Sequence, residues 1–142
     1  MMKKSLWFTM VLAGVGLLDS IYLLIFKISN NNAMCLGSGG CSSVNASRYS
    51  ELYGLPVSLY GVLAYLAIVL LIIFELKNII TKDISKLSLF GIGLIGFIFS
   101  VYLTYIEFYV IDAVCPFCVI SAIVMTIIFV ISTIELVRSL DN

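Results

Sequence analysis

VCPFCVISAIVMTIIFVISTI, residues 114–134, runs for 21 positions without a charged side chain. About 18 consecutive apolar residues suffice for a helix to cross the hydrocarbon core of a bilayer. Three more stretches read the same way, and the four predicted helices cover about 6–26, 55–75, 87–109 and 115–137. The whole chain is 62% hydrophobic and 11% charged, a composition that leaves too few polar side chains to cover a soluble domain. The expected fold is an all-α integral membrane protein: a four-transmembrane-helix bundle with an outer loop, about residues 28–54, that contains a short capping helix. No repeat or low-complexity tail divides the chain, so one membrane domain is expected over 1–142.

Eight Lys and Arg balance eight Asp and Glu, so net charge gives no reason to expect a nucleic-acid partner. Their placement carries more. Lys3, Lys4, Lys77, Lys82, Lys86 and Arg138 gather on the side of the termini, and only Lys27 and Arg48 lie on the other. The positive-inside rule then puts both termini in the cytoplasm and segments 27–54 and 107–113 outside. The first apolar run follows Met-Met-Lys-Lys but is long and lacks a small-residue cleavage site, so it is expected to stay as an anchor. Asp19 is the one charge within the apolar runs proper, residues 6–26, 55–74, 87–106 and 114–134, and ionisable groups at that depth default to function, here proton transfer; a carboxyl merely packed in the bundle is the alternative. Glu107 and Asp112 fall at the outer edge, where solvation is expected.

All four cysteines map to the outer side, where disulfides persist. Cys115-Pro116-Phe117-Cys118 has the spacing of a redox dithiol and sits at a helix start. With Cys115 near the N-cap, Pro116 takes the first helical position at no cost in hydrogen bonds. The helix dipole and the exposed N–H groups favour a thiolate there. Cys35-Leu36-Gly37-Ser38-Gly39-Gly40-Cys41 holds three glycines between its thiols, a mobile spacer suited to passing a disulfide from protein to protein. Two other readings stay open: static disulfides stapling the loops, or a zinc site, against which stands the absence of His. Among the aromatics, Trp7, Tyr49, Tyr53 and Tyr109 are expected at the membrane interfaces. Phe117 and Tyr60, with Tyr102 and Tyr105 behind them, are candidates to line a pocket.

These residues resemble the vitamin K epoxide reductase (VKOR) family in its prokaryotic form. The resemblance rests on Cys41-Ser42-Ser43-Val44-Asn45-Ala46-Ser47-Arg48, on Ser100-Val101-Tyr102-Leu103 followed by the Cys115–Cys118 motif, and on Gly54-Leu55-Pro56-Val57-Ser58-Leu59-Tyr60-Gly61. The order of the pairs is the most specific feature, because an unrelated family of quinone-linked disulfide generators carries its Cys-x-x-Cys in the first outer loop. The resemblance implies a quinone, ubiquinone or menaquinone, beside Cys118, with Cys115 as the disulfide partner of that sulfur. Cys35 and Cys41 would take electrons from a partner and pass them to Cys115, with Ser47 helping to shape the site. Positions that contact the vitamin in animal members match Val57 and Ala122 here, which points away from epoxide chemistry. The chain ends at Asn142, where many bacterial relatives continue into a thioredoxin-like domain. The expected partner is therefore a separate thioredoxin-fold thiol oxidase on the outer face of a bacterial or archaeal cytoplasmic membrane. The implied activity is quinone-dependent thiol oxidation. The alternatives are thiol-driven reduction of a quinone or its epoxide, and a non-enzymatic scaffold with structural disulfides.

Overall fold

The computed structural model describes residues 3–29 and 47–142. Four helices long and apolar enough to cross a membrane account for nearly all of them. Their order is α1 (Lys3–Ser29), a 3₁₀ turn (Arg48–Ser50), β1 (Glu51–Leu52), β2 (Leu55–Pro56), α2 (Val57–Leu76), α3 (Lys82–Ile106), a π-helical turn (Glu107–Ile111) and α4 (Pro116–Asp141). In lipid no water is present to satisfy a backbone N–H or C=O, so each span closes its hydrogen bonds within itself. The 20 residues of α2 rise about 30 Å, enough for the hydrocarbon core.

Helices α1, α3 and α4 run several residues beyond their apolar stretches, because Lys, Asp and Glu at the ends are tolerated once the helix reaches water. The start of α3 is set by Thr81, whose side chain accepts the Ile84 N–H at 3.4 Å. The end of α2 is a complete Schellman motif. Asn78 takes φ +56°, its N–H donates to the Glu75 carbonyl, and the Ile79 N–H donates to that of Phe74.

The chain reaches α2 through a hairpin, a feature the sequence reading did not contain. Glu51 pairs with Pro56 and Leu52 with Leu55. The two residues between, Tyr53 at φ +54° and Gly54 at φ +79°, both have the positive φ that a type I′ turn requires.

Helices α3 and α4 pack along each other, α1 packs on α2 and α4, and α2 and α3 meet over a smaller area. Leu6, Ala13, Tyr65, Ile68, Ile72, Leu89, Val124, Met125 and Ile128 form the core. Lipid is as apolar as leucine, so this packing holds by close fit, and small residues let the helices approach. A Cβ on Gly16 would overlap the Tyr65 ring, and one on Gly93 would lie 3.3 Å from the Phe129 backbone. Trp7, Phe8, Val11, Val15 and Leu18 stay exposed on α1, facing the surrounding lipid.

Candidate functional site

One end of the bundle gathers the hairpin, the 3₁₀ turn, the π turn and the start of α4, and beneath them lies a cavity of about 560 Å³. Its walls come mainly from α2 and α3, which meet over a smaller area than the other neighbouring helices, with Ser20 and Leu23 of α1 and Cys118, Ser121, Ala122 and Met125 of α4. Most of the lining is apolar. The polar groups are few: Tyr65 donates its hydroxyl to the Ser121 carbonyl at 2.9 Å and lies 3.0 Å from the Ser121 hydroxyl.

The cap over the cavity is tied down by Lys27 at the end of α1. Its Nζ donates to Ser50 Oγ at 2.7 Å and pairs with Glu51 at 3.4 Å. Ser50 Oγ in turn donates to the Ser47 carbonyl at 2.8 Å, and Tyr60 donates its hydroxyl to the Leu52 carbonyl at 3.0 Å. Ser47, at the N-cap of the 3₁₀ turn, is thereby held against the cavity.

At the head of α4, Cys115 is the N-cap and Pro116 the first helical residue. The Val119 N–H donates to the Cys115 carbonyl at 3.1 Å, closing the first turn. That turn separates the two sulfurs by environment. Cys115 is fully buried against Leu23 and Phe26, whereas Cys118 is half-buried and forms part of the cavity wall. The Cys118 S–H bonds to the Cys115 sulfur and holds the Cys115 thiol below its ordinary value, against burial, which acts the other way.

Val57, Ala122, Tyr60, Ser47 and Cys118 all line the cavity. Phe117 does not: its ring packs on Tyr22 with centroids 4.8 Å apart and backs the buried Cys115. Consecutive helical residues point about 100° apart, so when Cys118 faces the cavity Phe117 turns to α1. Tyr102 and Tyr105 are also outside it, exposed on the far face of α3, with the Tyr105 ring tilted against that of Tyr109 at a centroid distance of 5.0 Å. Asp19 lies behind the cavity wall, close enough to Tyr65 to act on it electrostatically, and its Oδ2 has no hydrogen-bond partner among the described residues. Cys35 and Cys41 lie outside the described residues.

Glu107 corrects the sequence reading most sharply. Expected in water, it is 3% exposed and lines the cavity. Its carboxyl meets the Cys118 thiol and the Cys115 backbone N–H. The π turn puts it there: the Glu107 carbonyl accepts from both Asp112 and Ala113, and Asp112 at φ +54° reverses the chain so that Cys115 returns over the end of α3. A hint was present in the sequence, since Glu107 is flanked by Ile106 and Phe108 within an otherwise apolar run.

Thiol-disulfide oxidoreductase LTO1 of Arabidopsis thaliana is 31% identical over 123 residues, which cover 82% of this chain and 32% of the plant protein. This chain thus spans about a third of the length of that relative. The model of the vitamin K epoxide reductase family matches residues 7–133, all four helices and the Cys115–Cys118 motif included, and the chain belongs to that family.

Proposed function

We propose that this chain is a membrane thiol-disulfide oxidoreductase that oxidises a thioredoxin-fold partner and passes the electrons to a quinone, ubiquinone or menaquinone. The observation that carries the reading is the division of the Cys115–Cys118 pair, one sulfur on the wall of an apolar cavity and the other buried behind it. A cavity of about 560 Å³ with few polar anchors suits a quinone ring, since small-molecule sites span roughly 300–1,000 Å³. The name of the plant relative, a thiol-disulfide oxidoreductase, supports the same class of chemistry.

In this reading Cys35 and Cys41, on the outer side of the membrane, exchange disulfides with the partner and then with Cys115. Breaking the Cys115–Cys118 bond by attack on Cys115 releases Cys118 as the thiolate, already facing the cavity. Quinone supplies the oxidising potential. Ser47, Val57, Tyr60 and Ala122 shape the wall around the ring, and apolar side chains at Val57 and Ala122 support a quinone over its epoxide. Asp19, near the Tyr65–Ser121 pair, is proposed to serve proton traffic from the far side of the wall.

The test is quinone-dependent oxidation of a reduced thioredoxin-fold substrate by the purified chain in detergent, beside Cys35→Ser and Cys118→Ser. Turnover in the wild type and its loss in both variants supports the relay. Oxidation of substrate that continues in Cys118→Ser, or disulfides that resist mild reductant with no turnover, would overturn it in favour of structural disulfides.

A further inference from the structure

Glu107 is a buried carboxyl that the relay above does not use. Oε2 has no hydrogen-bond partner, and no Lys or Arg pairs with the carboxyl, among the described residues. An ionisable group left so at the edge of a bilayer is expensive to keep. Fold does not require the charge: the turn is held by the Glu107 backbone carbonyl, which accepts from Asp112 and Ala113, and the one bond the side chain adds, from the Cys115 backbone N–H, an amide oxygen would accept as well. What the side chain does touch is the reacting pair. The single Cys118 proton faces two acceptors, the Cys115 sulfur and the Glu107 carboxyl, and Glu107 borders the cavity as Cys118 does.

From this geometry we infer that Glu107 is a catalytic residue, the station through which the Cys118 proton leaves and returns. The inference rests on the proposed thiol oxidation at Cys115 and Cys118. Oxidation breaks two S–H bonds, forms one S–S bond and sends two electrons and two protons to the quinone, which becomes a hydroquinone. Glu107 takes the Cys118 proton and releases it into the cavity towards a ring oxygen, ending as it began. In the opposite half of the cycle, attack on Cys115 frees Cys118 as a thiolate while the attacking thiol gives up its proton; the carboxylate takes up that proton and passes it to Cys118, so that the new charge does not stand alone in an apolar wall. A carboxyl can perform both halves; an amide of the same shape performs neither.

The test uses the full chain in detergent with two readouts. Infrared difference spectra between the chemically oxidised and reduced protein need no quinone. They are expected to show a carboxyl signal that changes with the redox state of the pair, is absent in Glu107→Gln and persists in Asp19→Asn. Quinone-dependent turnover is expected to fall about 100-fold in Glu107→Gln, the size of a lost general acid–base group, to recover in part in Glu107→Asp, and to rise with added acetate in Glu107→Ala. A redox-linked signal unchanged by Glu107→Gln, or wild-type turnover in that variant, overturns the inference. If Glu107→Gln does not fold, Glu107→Asp decides, because a redox-linked carboxyl signal left unshifted there would belong to another residue and overturn the inference equally. Loss of the signal in Glu107→Gln in a protein that turns over no quinone would sink the quinone reading and leave the role of Glu107 standing.

Discussion

Cys115 and Cys118 are three residues apart and chemically unlike. The Cys118 S–H holds the Cys115 thiol below its ordinary value, while burial pushes the other way. Removing the donor in Cys118→Ala takes away the largest lowering influence and leaves burial and Glu107 opposed only by the backbone N–H groups of Phe117 and residue 118, so Cys115 should form its thiolate at a higher pH than in the reduced wild type. Thiolate absorbance followed against pH in a Cys35→Ser, Cys41→Ser background measures this, and an unchanged or lower midpoint would remove the proposed bond. Access differs as well. Cys118 borders the cavity and Cys115 is fully buried, so a small apolar maleimide should label Cys118 first in the reduced protein, as peptide masses would report.

Among the elements, the hairpin and the 3₁₀ turn depend on one side chain of α1. Lys27 joins Ser50 and Glu51, and its side chain is 19% exposed. Lys27→Ala should cost about 1.5–3 kcal/mol of stability, the range for a hydrogen bond to a charged group, read as a lower melting temperature. Because the cap covers the cavity, KM for quinone should rise more than kcat falls. The turn after α2 is a second case. Asn78 sits at φ +56°, a conformation that glycine adopts without a Cβ penalty, so Asn78→Gly should leave the melting temperature unchanged or slightly raised. A clear drop would mean that the Asn side chain itself stabilises the turn.

For the whole molecule, charge and topology act together. The hairpin end of the bundle carries Lys27 and Arg48, and the other end carries Lys3, Lys4, Lys77, Lys82, Lys86 and Arg138. A reporter fused after Asn142 should therefore be active only if it works in the cytoplasm: a fluorescent protein bright, alkaline phosphatase silent. The opposite pattern would invert the orientation and place the cysteines where thiols are kept reduced, against thiol oxidation as the direction of the cycle.

The four spans were legible in the sequence because a spanning helix is a local property, a run of apolar residues whose backbone must satisfy itself wherever its neighbours lie. The N-cap position of Cys115 and the first-position Pro116 were legible for the same reason, since capping depends on a few adjacent residues. The hairpin was not, because strands of two residues carry no readable alternation. Of the inner site, Ser47, Val57, Tyr60, Cys118 and Ala122 were named from the sequence and its resemblance and line the cavity, but Phe117 and Glu107 were misplaced. Whether Phe117 turns to Tyr22 or to the cavity depends on how α4 is rotated against α1. The burial of Glu107 depends on a π turn and a left-handed Asp112 that bring α4 back over the end of α3. Sequence by itself thus determined the spans and the place of the Cys115–Cys118 motif at the head of α4. Tertiary structure alone decided that Phe117 turns from the cavity and that the Glu107 carboxyl stands beside Cys118, because both follow from the rotation and contact of whole helices rather than from any local run of residues.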